Sequence, residues 1–103
     1  MDLFQQADHP TAVFCFNDRM AMGVYDALRK LDLRIPEDVA VIGFDNQEII
    51  SDNLYPGLTT LQLPHYEMGA WGANYLIDSL EAGAISPPVQ HKIVCPLVVR
   101  DSV

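Results

Sequence analysis

Two short apolar segments rich in β-forming residues lie on either side of a helical pattern, and this arrangement constrains the fold more than any other feature. The segments are TAVFCF at 11–16 and VAVIGF at 39–44, and a helix is predicted between them over 18–31. Four apolar residues of that helix recur at helical spacing: Met20, Val24, Leu28 and Leu31. A strand, a helix and a strand in this order form a βαβ unit, whose two strands run parallel and end at the same edge of the sheet. The sequence therefore predicts an α/β fold.

The rest of the chain continues the alternation of strands and helices. A strand is predicted over 59–63 and a second long helix over 65–82, after a short helical or irregular segment at 46–58. Trp71 and Tyr75 of the second helix are expected to pack in the core. The last strand is interrupted at Pro96, which cannot donate a hydrogen bond to a sheet and therefore predicts a bulge or an edge strand.

Composition bounds the class of protein. The chain has 103 residues, half of them hydrophobic, which is typical of one globular domain. Fourteen acidic residues against six basic ones give a net charge of −8. Such a surface repels nucleic-acid phosphates, which bind to clustered Lys and Arg. These residues alone are therefore not expected to bind nucleic acid.

The sequence shows no targeting segment. The first ten residues lack the regions of a secretion signal, and no apolar stretch is long enough to span a bilayer. Cys15 and Cys95 each lie in an apolar run, where a free thiol behaves as a small buried hydrophobe. We therefore expect a cytoplasmic protein without membrane contact and without a disulfide framework.

Two polar residues directly follow the first two predicted strands, Asn17 after TAVFCF and Asp45 after VAVIGF. Ligands of open parallel sheets bind beyond the carboxyl ends of the strands, so we expect both side chains at one crevice. An amide and a carboxylate suit the neighbouring hydroxyls of a sugar or the edge of a purine. The alternative is that Asn17 only caps its helix and Asp45 only opens a turn.

Three further residues are weaker candidates for ligand contacts. Asp18 and Asn46 are expected to serve in capping and in the turn. His65 begins the second helix, where it could face the same crevice or be structural.

No catalytic, metal or cofactor site is indicated. The chain lacks the glycine-rich phosphate loops and the nucleophile elbow of known enzyme classes. His9, His65 and His91 are far apart and have no metal-ligand spacing with the cysteines. A nucleophile with a base could be assembled only from distant residues, such as Cys15 with His65. We therefore predict no enzymatic activity, and an α/β enzyme fragment remains a third reading.

Three segments carry a resemblance to a known family: residues 10–46 (PTAVFCFNDRMAMGVYDALRKLDLRIPEDVAVIGFDN), 56–69 (PGLTTLQLPHYEMG) and 96–102 (PLVVRDS). In this order they closely resemble the carboxyl-terminal third of the lactose-repressor and galactose-repressor family of bacterial transcription regulators. The resemblance implies a fold like that of periplasmic sugar-binding proteins, in which two α/β lobes joined by three crossovers close on an effector. Residues 1–62 would belong to the carboxyl-terminal lobe, 65–83 would form a helix of the other lobe, and 90–100 would return as a strand. The chain would thus form an incomplete lobe, a parallel-sheet βαβ sandwich.

The same resemblance assigns roles to individual residues. It implies that Asn17 and Asp45 contact effector hydroxyls or base edges and that His65 lines the cleft. Three positions match surfaces used for homodimerisation: Met22, Asp26 and Leu54. Met22 is also an apolar residue in the charged sector of its helix, where a subunit contact could form.

Two positions depart from the family pattern. Leu63 stands where many members have a ligand-binding Gln, so that contact is in doubt and the effector could differ. Asp32 replaces the usual Gly after the first helix, a tolerable change because Asp adopts the left-handed region at modest cost.

Nothing in these residues resembles the DNA-binding headpiece, its hinge helix or most of the amino-terminal lobe. We therefore expect a fragment of a regulator whose DNA contacts belong to missing parts, and whose uncovered apolar faces favour self-association. The alternative is a fragment of a sugar-binding transport or chemoreceptor protein of the same architecture. Upstream sequence would distinguish the two, since a helix-turn-helix indicates a regulator and a secretion signal a transporter.

Overall fold

The computed structural model describes residues 2–83 and 88–103. Their helices and strands follow in the order α1 (Asp2–Gln5), β1 (Ala12–Phe14), α2 (Asp18–Lys30), β2 (Ala40–Asp45), α3 (Glu48–Ser51), β3 (Thr59–Gln62), α4 (His65–Glu81) and β4 (Leu97–Val98). The two long helices and the first three strands lie close to their predicted positions. Helix α1 was not predicted, and the strand expected within 90–100 is limited to two residues.

The strands form one sheet in the order β1-β2-β3-β4. β1 pairs with β2 in parallel, with Val13 opposite Val41, and β2 pairs with β3 in parallel, with Gly43 opposite Thr60. β4 is antiparallel to β3 and lies at the edge, as Pro96 predicted. The predicted α/β class and the parallel βαβ unit are therefore confirmed.

The chain divides into two compact units. Unit 1 consists of Met1–Leu63 and Pro96–Val103, and unit 2 consists of Pro64–Cys95. The core of unit 1 lies where α2 packs against the sheet. Seven buried hydrophobic residues form it: Cys15, Ala21, Tyr25, Leu28, Val39, Val41 and Leu58.

The apolar stripe of α2 is buried only in part. Leu28 is fully buried, but Met20 is 57% exposed, and Ala21 and Tyr25 take the inner positions instead. Ala21 is small enough to let the helix approach the sheet closely, and the Tyr25 hydroxyl reaches across to donate to the Pro56 carbonyl oxygen at 2.9 Å. Burial of the Tyr25 hydroxyl raises its pKa to about 12. After α2, Asp32 adopts the left-handed region with φ 55°, as its place at the helix end predicted.

Residues after β4 complete unit 1. The Ser102 hydroxyl is fully buried, donates to the Val41 carbonyl oxygen at 2.6 Å and accepts from the Thr59 amide at 2.8 Å. The Val41 amide donates to the Ser102 carbonyl oxygen at 2.9 Å. These bonds connect β2 and β3 through the end of the chain.

Unit 2 has no such core in its described part. None of the residues of α4 is buried, so the expectation that Trp71 and Tyr75 pack in the core was wrong. Both are half-buried, and the Trp71 ring stacks on Tyr75 at 5.2 Å and on His91 at 4.5 Å between ring centroids. No helix within the described ranges has the length and apolar character needed to cross a membrane.

Candidate functional site

A cavity of about 430 Å³ lies at the carboxyl ends of the parallel strands. Six residues line it, all in unit 1: Phe14, Phe16, Asn17, Phe44, Asp45 and Leu63. Asn17 and Asp45 are thus brought to one cavity, as the parallel order of β1 and β2 predicted.

Three phenylalanines form the apolar walls of the cavity, and none of them was among the predicted site residues. Phe14 and Phe16 are 64% and 79% exposed. Cys15, which lies between them, belongs to the core, and Val13, which precedes them, packs against it. Alternation along a strand was the signal that could have found them. It was hidden because a continuous apolar run is typical of a strand buried on both faces.

Asn17 caps α2 and also lines the cavity. Its backbone is extended, and its Oδ1 accepts a hydrogen bond from the Met20 amide at 2.9 Å. The cap uses the side-chain oxygen and does not use the Nδ2 group, which is a donor. Asn17 can therefore cap the helix and contact a ligand at the same time. The hydrogen bond to Met20 shows the cap.

Asp45 begins a turn in an unusual backbone conformation. Its φ is 112° and that of Asn46 is 54°. Asn46 lies in the left-handed region, which Asn adopts at modest cost, whereas a φ of 112° in a residue other than glycine costs about 1–3 kcal/mol. The Asp45 carboxylate accepts from Gln47 Nε2 at 3.2 Å, and its carbonyl oxygen accepts from the Leu63 amide at 3.2 Å. Asp45 does open a turn, as the alternative held, and that turn places it on the cavity wall.

Asn46 is a buried member of a polar cluster behind this turn. Its Oδ1 accepts from Ser51 Oγ at 3.0 Å and from Arg100 Nη2 at 2.9 Å, and its Nδ2 donates to Gln62 Oε1 at 2.5 Å. Arg100 also pairs with Asp52 at 2.8 Å. These partners come from α3, β3 and the end of the chain, so no local spacing in the sequence indicates them.

Asp18 differs from the expectation that it serves as a cap. Asn17 is the cap, and Asp18 is the first residue of α2 and fully buried. Its carboxylate contacts residues of β3 and of the turn after β2.

His65 and the three expected dimer-surface residues lie outside this cavity lining. His65 is exposed at the first position of α4 in unit 2. Met22 is 46% exposed on α2. Asp26, one turn later, forms an exposed ion pair with Lys30 at 2.7 Å, which lowers the pKa of the Asp26 carboxyl. Leu54 is partly buried against the core of unit 1.

The described residues offer little for catalysis. No group of three or more His, Cys, Asp or Glu side chains among them could hold a metal ion. Cys15 is a buried free thiol, whose pKa is raised by burial and, less strongly, by the charge of Asp18. A thiol of raised pKa is a poor nucleophile because the thiolate is the reactive form. Cys95 is also free but only half-buried.

Residues 1–103 match the family model of a periplasmic binding protein-like domain. The chain is 43% identical over 96 residues to the HTH-type transcriptional repressor PurR of Vibrio vulnificus, an alignment that covers 93% of this chain and 28% of that protein. It therefore spans little more than a quarter of that relative's length.

Solved structures show the same likeness. The Lac repressor bound to ONPG has a TM-score of 0.87 and 27% identity, over 100% of this chain and 30% of that one. A LacI family transcriptional regulator of Enterococcus faecalis with bound ribose has a TM-score of 0.80 and 29% identity, over 96% of this chain and 36% of that one.

Proposed function

This chain belongs to the lactose-repressor (LacI) family of transcription regulators, and we propose that its residues form part of the effector-sensing and dimerisation region of such a regulator. The cavity at the carboxyl ends of β1, β2 and β3 is the observation that carries the proposal. The repressor name of the 43% identical relative favours a regulator over the transport protein of the alternative reading and over an enzyme.

The chemistry of the cavity suits a small ring with polar edges. Phe14, Phe16 and Phe44 offer apolar surface for the flat face of a sugar or a purine. Asn17 can donate through Nδ2, and Asp45 can accept from hydroxyl or ring N–H groups. Leu63 contributes no polar group, so Asn17 and Asp45 supply the side-chain hydrogen bonds from unit 1.

His65 is proposed as a third effector contact on the resemblance alone. It lies in unit 2, and its exposed imidazole can donate or accept a hydrogen bond. A His65→Ala variant that binds effector as tightly as the parent protein would remove it from the site.

Sensing requires that the effector bind one arrangement of the regulator better than another. A ligand shifts an equilibrium between conformations only by its difference in affinity for them. In this proposal the effector favours a closed pair of lobes, and closure changes the population of DNA-binding geometries. DNA contacts would come from parts of the protein beyond these residues, in keeping with the net charge of −8, and the regulator would act in the cytoplasm.

Dimerisation is proposed through the face of α2 that carries Met22 and Asp26, together with Leu54. Met22 is an exposed apolar side chain one helical turn before Asp26, which forms the ion pair with Lys30. An apolar residue within a polar rim is a common arrangement in subunit interfaces.

Titration calorimetry of the full-length protein with ribose, galactose, adenosine and guanine tests the effector site. We expect one of these compounds to bind and Asp45→Ala to weaken its binding by about tenfold or more, since hydrogen bonds to charged groups contribute about 1.5–3 kcal/mol. Asp45→Asn should also weaken binding. It disturbs the backbone less than Asp45→Ala does, because Asn tolerates positive φ.

Asp8→Ala is the matched control for the loss of one negative charge. Asp8 is exposed and precedes β1, so it lies away from the carboxyl ends of the strands. Its variant should bind as the parent does. Unchanged affinity of both Asp45 variants would refute the assignment of this cavity.

A further inference from the structure

A strained turn forms one wall of the cavity. Asp45 and Asn46 both have positive φ, and Asp45 lines the cavity while Asn46 is buried behind it. Strained residues persist only where the surrounding structure fixes them. The groups that fix this turn therefore decide where the Asp45 carboxylate lies.

Asp18 contacts the turn through a buried side chain that is not part of the cavity lining. Its Oδ2 accepts a hydrogen bond from the Gln47 amide at 2.7 Å, and its Oδ1 accepts from the Thr60 hydroxyl at 2.6 Å. The Thr60 oxygen in turn accepts from the Asn46 amide at 3.4 Å. The successive amides of Asn46 and Gln47 thus donate to Thr60 and Asp18. Both acceptor side chains are fully buried.

Burying a carboxyl group to hold a turn has a cost in free energy. Burying an acidic side chain costs several kcal/mol unless hydrogen bonds compensate, and Arg100 donates to Asn46 Oδ1. The gain is a precise backbone position next to the residue proposed to bind effector.

We propose that Asp18, acting through Thr60 and the Gln47 amide, is a positioning residue that fixes the Asp45–Asn46 turn for effector binding. The proposal rests on the proposed effector site, and it adds a residue that touches no effector. Asp18 directly follows Asn17, the cap of α2, so the start of that helix supplies one residue of the cavity wall and the support of the other.

The test uses the full-length protein, with whichever of ribose, galactose, adenosine and guanine binds best to the parent as the probe. Thr60→Val keeps the shape of the side chain but leaves Asp18 Oδ1 and the Asn46 amide without their partner. We expect it to weaken probe binding by about tenfold, the scale of a lost buried hydrogen bond. Thr60→Ser keeps the hydroxyl and should retain affinity within about twofold. Asp18→Asn should weaken binding as Thr60→Val does.

Thr59→Val is the control for general damage to β3. Thr59 is equally buried, and its hydroxyl accepts from the Arg100 amide at 2.8 Å rather than from the turn. It should lower thermal stability about as much as Thr60→Val while leaving probe affinity nearly unchanged. Equal loss of affinity in the two variants would overturn a positioning role.

A double-mutant cycle separates positioning from stability. In an Asp45→Asn background, Thr60→Val should change affinity by less than about twofold, because residues acting through one another are not additive. The same tenfold loss in both backgrounds would overturn the proposal.

Amide exchange distinguishes failure of this inference from failure of the effector site. If the parent bound none of the four compounds, the effector proposal in its sugar or purine form would fail. Faster exchange of the Asn46 and Gln47 amides in Thr60→Val, with exchange in α4 unchanged, would still support the proposal that Asp18 and Thr60 fix the turn. Unchanged exchange at these amides would overturn it.

Discussion

Gly43 of β2 lies so close to the Asp18 carboxylate that no side chain fits between them. A Cβ atom on Gly43 would overlap Asp18 Oδ1 and lie 3.0 Å from Leu58 Cδ2. Thr60, opposite Gly43 on β3, donates to the same Asp18 oxygen. The buried carboxylate therefore depends on the absence of a side chain in the middle of the neighbouring strand.

We expect Gly43→Ala to lower the free energy of unfolding by about 1–3 kcal/mol, the usual cost of adding atoms to a packed interior. Urea unfolding followed by circular dichroism measures the change. Gly23→Ala is the matched control, because a Cβ on Gly23 in α2 meets nothing within 4 Å. It should raise stability by up to about 1 kcal/mol through helix propensity. Stability of Gly43→Ala equal to the parent would mean that Asp18 can move aside.

Ser102→Ala should destabilise unit 1 by about 1–3 kcal/mol, because it leaves the buried Thr59 amide without an acceptor. The change also removes the bond to the Val41 carbonyl oxygen. Thermal unfolding of this chain measures the effect, with Val103→Ala as the control. Val103 is 49% exposed, and its truncation should change stability by less than about 0.5 kcal/mol. Equal melting temperatures for the two variants would contradict the prediction.

The ion pair of Arg34 and Asp38 should make stability depend on acid pH. Two hydrogen bonds at 2.9 and 3.0 Å join the side chains, and the Arg34 guanidinium lowers the pKa of Asp38 from 3.8 to about 2. A lowered pKa in the folded state adds stability above about pH 4 that is lost as the pH falls toward 2. Asp38→Asn should therefore melt slightly below the parent at pH 7, with a difference that shrinks over this interval. A difference independent of pH would refute this assignment.

Hydrogen exchange should protect the two units unequally. Every buried hydrophobic residue in the described part of the chain belongs to unit 1, and α4 has none. Segments with few buried apolar contacts open at lower free energy. In this 103-residue chain, amides of β2 should therefore exchange much more slowly than those at the centre of α4. Equal protection would indicate that the exposed apolar residues of α4, among them Leu76 and Leu80, are covered in solution.

Met22→Lys should weaken self-association of the full-length protein. A charge at the centre of an apolar contact is costly to bury, so sedimentation should show a larger monomer fraction than in the parent. Arg19→Ala, an exposed change on the same helix, should leave the distribution unchanged. An unchanged distribution for Met22→Lys would remove this face from the dimer proposal.

The βαβ unit could be predicted because its signals are local. Apolar runs, a capping Asn17 and a helical period each span only a few residues. The inner face of α2 could not be predicted as well, because the Met20 stripe and the Ala21–Tyr25 stripe share Leu28 and differ by a small rotation. Packing against the sheet buries Ala21 and Tyr25 and leaves Met20 exposed.

The polar residues of the cavity were predicted, and its three phenylalanines were missed. Asn17 and Asp45 follow from the rule that parallel strands end together. The support behind Asp45 depends on Asp18 and Thr60, whose partners lie far away in sequence. Hydrogen bonds between such distant residues produce no periodic pattern in the sequence.

Unit 1 is assembled from two stretches of chain separated by unit 2, and this order has a consequence for biosynthesis. β1, β2 and β3 leave the ribosome before α4, whereas β4 and Ser102 emerge after it. Until then β3 lacks its antiparallel neighbour, and the Thr59 amide lacks the acceptor it has in the folded protein. Unpaired strand edges are prone to wrong partners. The sheet of the nascent chain therefore keeps the edge of β3 unpaired until all of unit 2 has been translated.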